Sequence, residues 1–207
     1  MELNVWLTLL LATIAISVSP GAGAVVSMNY GIKYGLKKSY AAIFGLQAGL
    51  LIQTFVVVIG LGALIAKSVM LFNIIKWIGV VYLIYLGLSK IFEKVETIDE
   101  EEHLKAYSAK KAFISATLIN LTNPKATVFL VAFIPQFLNP EYSLWVQFGI
   151  ICLTLCVIDI FVMTGYSSMA SKLKFLIKDV KAMKVQNRIT GSFLILAAIF
   201  MSTTKRA

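Results

Sequence analysis

Five long stretches of this chain are almost free of charge, and a shorter sixth follows them. Leu3 to Ile32 is an uncharged run of 30 residues, and Ser39 to Ala66 is another of 28. Ser68 to Ser89 is apolar apart from Lys76, Ala112 to Pro140 is interrupted only by Lys125, and Tyr142 to Ser171 only by Asp159. Ile189 to Thr204 has 16 residues, with Arg188 and Lys205 at its ends able to snorkel towards the headgroups. A bilayer core about 30 Å thick takes roughly 20 helical residues to cross. The pattern predicts an all-α integral membrane protein with six transmembrane helices.

Composition agrees. Of 207 residues, 59% are hydrophobic and 14% charged, and the mean hydropathy is +0.86. Soluble domains average about 45–50% apolar and about 25% charged. A soluble globule, a disordered chain and a disulfide-stapled secreted domain are excluded. The net charge of +9 does not point to nucleic acid, because the 19 basic residues lie in short segments between apolar runs. They report orientation instead. Fourteen fall on one side, in the joints after runs one, three and five; Lys67, Lys205 and Arg206 fall on the other, and Lys76 and Lys125 lie within runs. The positive-inside rule then places N-terminus and C-terminus both outside. Ala22-Gly23-Ala24 looks like a leader-cleavage site, but the preceding segment holds Glu2 and no base, and apolar character continues past it. Cleavage is not expected.

The joints read blandly. Residues 93–111 hold six of the ten acids beside His103, a solvated cytoplasmic loop without metal-ligand spacing. Residues 172–188 place Leu173, Leu176, Ile177 and Val180 on one face among lysines, which suits a helix lying on an anionic inner leaflet.

The organisation is a single domain, 1–207: a first repeat of about 1–92, the loop at about 93–111, and a second repeat of about 112–207. Ser19-Pro20-Gly21 interrupts the first run and Asn123-Pro124-Lys125 the fourth, 104 residues apart. Each proline falls in the first helix of a three-helix half, and the two halves insert in opposite senses, the mark of inverted repeats. Proline breaks a helix but suits the first position of a new one, with Ser or Asn before it as N-cap. Helices 1 and 4 are therefore expected to be interrupted at Pro20 and Pro124, and half-helix N-termini near the midplane can hold a carboxylate. A simple proline kink is the competing reading.

Asp159 is the one acid in a spanning run, and burying it ionised costs roughly 2.5–3.5 kcal/mol on insertion scales. It is the candidate to accept a proton or a substrate ammonium, with Lys125 or the adjacent helix end facing the substrate carboxylate. A structural Asp159–Lys125 pair is the alternative. The candidate substrate site comprises Ser19, Pro20, Gly21, Gln47, Asn123, Pro124 and Lys125. Gln53 is a further wall candidate; Tyr82 and Tyr85 are candidates for substrate contact, with aromatic packing the expected use. Gly45, Gly49, Gly60, Gly62, Gly79 and Gly87 mark close helix approaches, and Trp6, Trp77 and Trp145 suit an interfacial belt. Cys152 and Cys156, four apart on one helix, are poorly placed for a disulfide. A membrane thiol-redox protein and a non-transporting membrane sensor remain the alternatives to a secondary transporter. No P-loop, HExxH, GxSxG or CxxC occurs, so no cofactor or metal is implied and the energy source is an ion gradient or a partner protein.

Several of these residues resemble one family in order and spacing. Ser19-Pro20-Gly21, Gly35 with Lys37-Lys38, Gly60-Leu61-Gly62-Ala63-Leu64, Lys76-Trp77-Ile78-Gly79 and Tyr82 to Gly87 fit the lysine exporter and homoserine/threonine exporter family (LysE/RhtB-type translocators). So does Asn123-Pro124-Lys125-Ala126 running on to Phe133-Ile134-Pro135-Gln136-Phe137. The resemblance implies efflux of amino acids or close derivatives across a plasma (bacterial-type inner) membrane by proton antiport, not an enzyme, with a possible homodimer. It supports Pro20, Gly21, Asn123, Pro124, Lys125 and Asp159 as recurrent family features. The chain departs at Ala22-Gly23, where the family often reads Pro-Asn, and at Leu50, where many members are polar. Two lysines against one aspartate within the spans favour a neutral substrate such as homoserine or threonine over lysine.

Overall fold

The apolar runs become helix, and the helices end at the proline, glycine and charged joints between them. The computed structural model describes residues 1–65, 69–92, 106–139, 141–172 and 180–203. Among these there is no strand, and seven α-helices run in order: α1 (Leu3–Val18), α2 (Ala22–Ile65), α3 (Val69–Ile91), α4 (Ala109–Leu121), α5 (Pro124–Phe133), α6 (Leu144–Lys172) and α7 (Val180–Thr203). A 3-10 turn, Ile134–Phe137, extends α5. Among the described residues two helical stretches are long and apolar enough to cross a membrane, Ala22–Gly60 and Leu144–Lys172. A third is added if Ala109–Leu121 and Lys125–Phe137, bent by 55°, form one span.

The 44 residues of α2 would reach about 66 Å as a straight rod. They do not, because Gly35 takes φ +75°, a conformation open to glycine and strained for other residues. A Cβ on Gly23 would lie 3.6 Å from Leu46, although 23 helical residues should separate them by about 34 Å. The helix therefore doubles back at Gly35 into a first arm (22–34) and a second arm (36–65). This is the joint expected between the first two apolar runs.

Side-chain bonds give the directions of the neighbours. Trp6 Nε1 donates to Thr154 Oγ1 at 3.1 Å, and Tyr166 Oη donates to the Val18 carbonyl at 2.6 Å. Both bonds span 148 residues, so α1 runs alongside α6 in the same direction. Thr117 Oγ1 donates to Gly45 O at 2.9 Å and Asn120 Nδ2 to Leu46 O at 2.6 Å, setting α4 parallel to the second arm. α3 and α7 cross where Gly87 faces Gly191, with Ile195 against Gly87 and Ile91 against Gly191, an antiparallel pair.

The distribution of polarity is inverted relative to a soluble protein. Leu3, Leu11, Val56, Ile78, Leu153 and Phe161 are among many large apolar residues on the outside, whereas Thr13, Ser17, Gln47, Gln53, Asn120, Gln147 and Ser167 are buried. An apolar exterior needs no explanation in lipid, and polar side chains between helices supply interhelical bonds there. Several inward hydroxyls are satisfied locally, as in Thr13 to Leu9 O and Thr154 to Ile150 O. Two apolar clusters complete the packing, one around Leu9, Leu130, Phe133 and Ile151, the other around Ala24, Ile43, Leu46 and Met163.

Some expectations change. α7 begins at Val180, nine residues before the apolar run, so residues 180–188 open that helix and are not a separate surface element. Trp77 and Trp145 are exposed, but Trp6 is tucked against Thr154. Among the described residues nothing lies within 4 Å of a Cβ placed on Gly60, so no close approach is seen there. The acidic stretch 93–105 with His103, segment 173–179, and Lys67, Lys205 and Arg206 lie outside the described residues.

The glycines give a paired prediction. A Cβ on Gly45 would strike the Phe113 carbonyl, whereas one on Gly60 meets none of the described residues. Gly45→Val is expected to lower stability by about 1–3 kcal/mol or more through overpacking, and Gly60→Ala to raise it by about 0.5–1 kcal/mol through helix propensity. Thermal unfolding in detergent measures both.

Candidate functional site

Each proline breaks its helix, but the two breaks are built differently. At the first, α1 ends at Val18, and Ser19 is extended (φ −69°, ψ 114°) with its N–H on Ala15 O at 3.2 Å. The residue before a proline is driven out of the helical region, which ends α1 there. Helix resumes only at Ala22, where Val25 N–H bonds Gly21 O at 3.0 Å. Ser19 is therefore the C-cap of α1 and not the N-cap of the next segment, as its place before proline suggested. The second break follows expectation. Asn123 is the N-cap of α5, its Oδ1 accepting from Lys125 N–H at 3.1 Å, and Pro124 opens the helix.

Gln53 holds the second break together from the second arm. Its Nε2 donates to Leu121 O at 3.1 Å, a carbonyl orphaned at the end of α4, and to Thr127 Oγ1 at 2.8 Å. This is a bracing role, not the wall position expected of it.

Between the breaks lies a cavity of about 70 Å³. That is several times the roughly 10–15 Å³ needed to lodge a water. One part of its wall is polar: Ser17, Ser19, Asn120, Asn123, Lys125 and Asp159. The rest is apolar and includes Leu46, Leu50, Phe129, Leu155 and Met163, with Gly21, Gly23 and Ala24 where the first arm begins. Lys125 reaches across from α5, and its Nζ donates to Ile16 O at 2.9 Å and to Ser19 O. A cation at the C-terminal end of α1 complements that end of the helix dipole. Asp159, at mid-length of α6, accepts from Gln47 Nε2 at 2.7 Å and from the Ser17 side chain. Charge-assisted bonds of this kind are what an acid in an apolar bundle requires.

Of the residues expected at the site, Ser19, Gly21, Asn123, Lys125 and Asp159 share this cavity. Gln47 stands behind, holding the Asp159 carboxylate. Pro20 is buried at the break but is not on the wall, and Pro124 begins α5. Tyr82 and Tyr85 do not approach the cavity; with Trp77, Ile78 and Val81 they line a shallow apolar groove on α3, and Tyr85 is exposed. Ser17, Asn120 and Phe129 were missed. Ser17 and Asn120 precede the two prolines by three and four residues, about one turn, so helical spacing on the side of each break was the available signal. Cys152 is buried and Cys156 partly buried, both as free thiols on α6.

Residues 14–205 match the family model for LysE type translocators. An uncharacterized membrane protein of Vibrio cholerae is 40% identical over 99% of this chain and 100% of its own length. The homoserine/homoserine lactone efflux protein of Salmonella typhimurium is 38% identical over 98% of each chain. The leucine efflux protein of Klebsiella pneumoniae is 32% identical, covering 74% of this chain and 73% of its own. No solved structure matches.

Gln53→Leu is expected to leave Leu121 O and Thr127 Oγ1 without their donor and to cost about 1–3 kcal/mol. Thermal unfolding in detergent reads the loss, and Gln53→Glu, which cannot donate when ionised, should fare no better.

Proposed function

The chain belongs to the LysE type translocator family, and on that premise we propose that it exports amino acids or close derivatives across a bacterial inner membrane by proton antiport. The observation that carries the reading is Asp159, an acid held by Gln47 inside a polar cavity that also contains Lys125 and both helix breaks. An α-amino acid needs a cation site and an anion site a few ångströms apart. The Asp159 carboxylate meets the first need, and helix N-termini beside a lysine meet the second. Asp159 is also the group able to exchange a proton for the substrate ammonium in alternating turns of the cycle. The apolar half of the wall, with Leu46, Leu50, Phe129 and Met163, suits an uncharged side chain and offers no second acid for lysine. A neutral substrate of the homoserine or leucine type follows.

In this reading the chain is a single transmembrane domain of two inverted repeats, about 1–92 and about 112–207, joined by a cytoplasmic loop, with both termini outside. The pairing of helices supports it. Exchanging α1 and the first arm with α4 and α5, the second arm with α6, and α3 with α7 turns the α1–α6 pair into the pair of α4 with the second arm. The α3–α7 pair maps onto itself. Each paired direction is also the one that six alternating spans require.

Export of an amino-acid panel from cells expressing the chain tests the proposal. Neutral amino acids should leave faster than in control cells, an uncoupler should abolish the difference, and Asp159→Asn should reduce the rate by roughly tenfold or more. Unchanged, pH-responsive export by Asp159→Asn would refute the coupling role.

A further inference from the structure

The two breaks are not equally satisfied. At the second, the Asn123 side chain accepts from Lys125 N–H, its carbonyl accepts from Thr127 N–H at 3.1 Å, and Gln53 covers the end of α4. At the first, only the carbonyl side is served: Lys125 donates to Ile16 O and Ser19 O, and Tyr166 to Val18 O. The amide side is open. The first helical bond of the first arm is Val25 N–H to Gly21 O, so the amides of residues 22–24 lie ahead of it with no helical carbonyl to receive them. Ser19 Oγ is the independent sign of a missing ligand. Its residue is 3% exposed, it lies on the cavity wall, and it has no hydrogen-bond partner among the described residues. A buried hydroxyl left without a partner costs free energy, and a carboxylate, which only accepts, is the complement to a hydroxyl beside unbonded amides. The Lys125 ammonium, 3.4 Å from where a Cβ on Gly21 would stand, adds positive potential at the same place.

Resting on the reading of the cavity as an amino-acid site, we propose that the substrate carboxylate docks at the first break, on the Ser19 hydroxyl and the amides that open the first arm. The Asn123-capped second break is scaffold: its N-terminus is already occupied by the protein's own side chain. The substrate ammonium then points across the cavity to Asp159, and the side chain towards Leu46, Phe129 and Met163. Ser19 is thereby assigned as a carboxylate-binding residue and Asn123 as a positioning residue.

The test uses the full chain in detergent or proteoliposomes, with homoserine as ligand and its carboxyl-reduced amino-alcohol analogue as control. Wild type should bind homoserine more tightly than the alcohol. Ser19→Ala should weaken homoserine roughly tenfold and leave the alcohol unchanged, so discrimination collapses. Because the deleted hydroxyl has no partner in the empty protein, Ser19→Ala should melt at the same temperature as wild type or higher when ligand is absent. Asn123→Ala should lower the melting temperature but leave the ratio of the two affinities intact. The assignment is overturned if Asn123→Ala removes the discrimination while Ser19→Ala keeps it, or if Ser19→Ala destabilises the empty protein. If wild type binds neither homoserine nor leucine, the reading of the cavity as an amino-acid site falls instead, and the carboxylate assignment falls with it.

Discussion

Backbone groups freed by a broken helix must find partners where no bulk water reaches them, and this constraint organises the middle of the protein. Pro20 and Pro124 each release amides and carbonyls in the interior of an apolar bundle. An unsatisfied group there costs several kcal/mol in hydrocarbon. Partners are therefore recruited from distant parts of the chain: Gln53 reaches from the second arm to the end of α4, Tyr166 comes from α6, and Lys125 reaches from one break to the other. The polar cavity is thus a consequence of how the breaks are tied together as much as a chamber added for a ligand.

Such ties demand close helices, and the glycines provide them. A Cβ on Gly49 would come within 2.8 Å of the Thr117 carbonyl, and one on Gly87 within 2.7 Å of the Gly191 carbonyl. Small residues let backbones approach so that van der Waals contact and short side-chain bonds replace the hydrophobic drive that lipid removes. The bond from Asn120 to Leu46 O at 2.6 Å depends on that proximity, as Gly45 and Gly49 bracket it on the second arm.

Much of this was legible in the sequence, for reasons that differ from residue to residue. Uncharged runs set the helices because apolar length is a strong constraint in a bilayer. Asn123-Pro124 was read correctly because an asparagine cap and a proline at the first helical position act locally. Ser19-Pro20 was misread in detail because Gly21 offers the chain a second way to restart the helix, and the choice between them depends on tertiary contacts. Asp159 was singled out by the cost of its burial, and its contact with Gln47 joins residues 112 apart, which no spacing rule reaches. Tyr82 and Tyr85, for which aromatic packing was the expected use, pack against each other outside the cavity. The reversal at Gly35 was expected from charge, through Lys33, Lys37 and Lys38, although its geometry comes from a glycine with positive φ.

Lys125 joins these constraints in a single side chain. To reach the end of α1 its stem passes over Gly21, where a Cβ would stand 3.1 Å from its Cδ. The glycine after the first proline thus leaves room for the lysine after the second. Arginine would not substitute simply, since its planar fork is broader than a compact ammonium and two carbonyls on one short turn suit a point charge. With Ile16 O and Ser19 O held by Lys125 and Val18 O by Tyr166, the first break offers a ligand the donors of its amides and of the Ser19 hydroxyl. The acceptor capacity of the cavity is concentrated on Asp159. A ligand that completes both must carry an anion at one end and a cation at the other, which is the charge pattern of an amino acid.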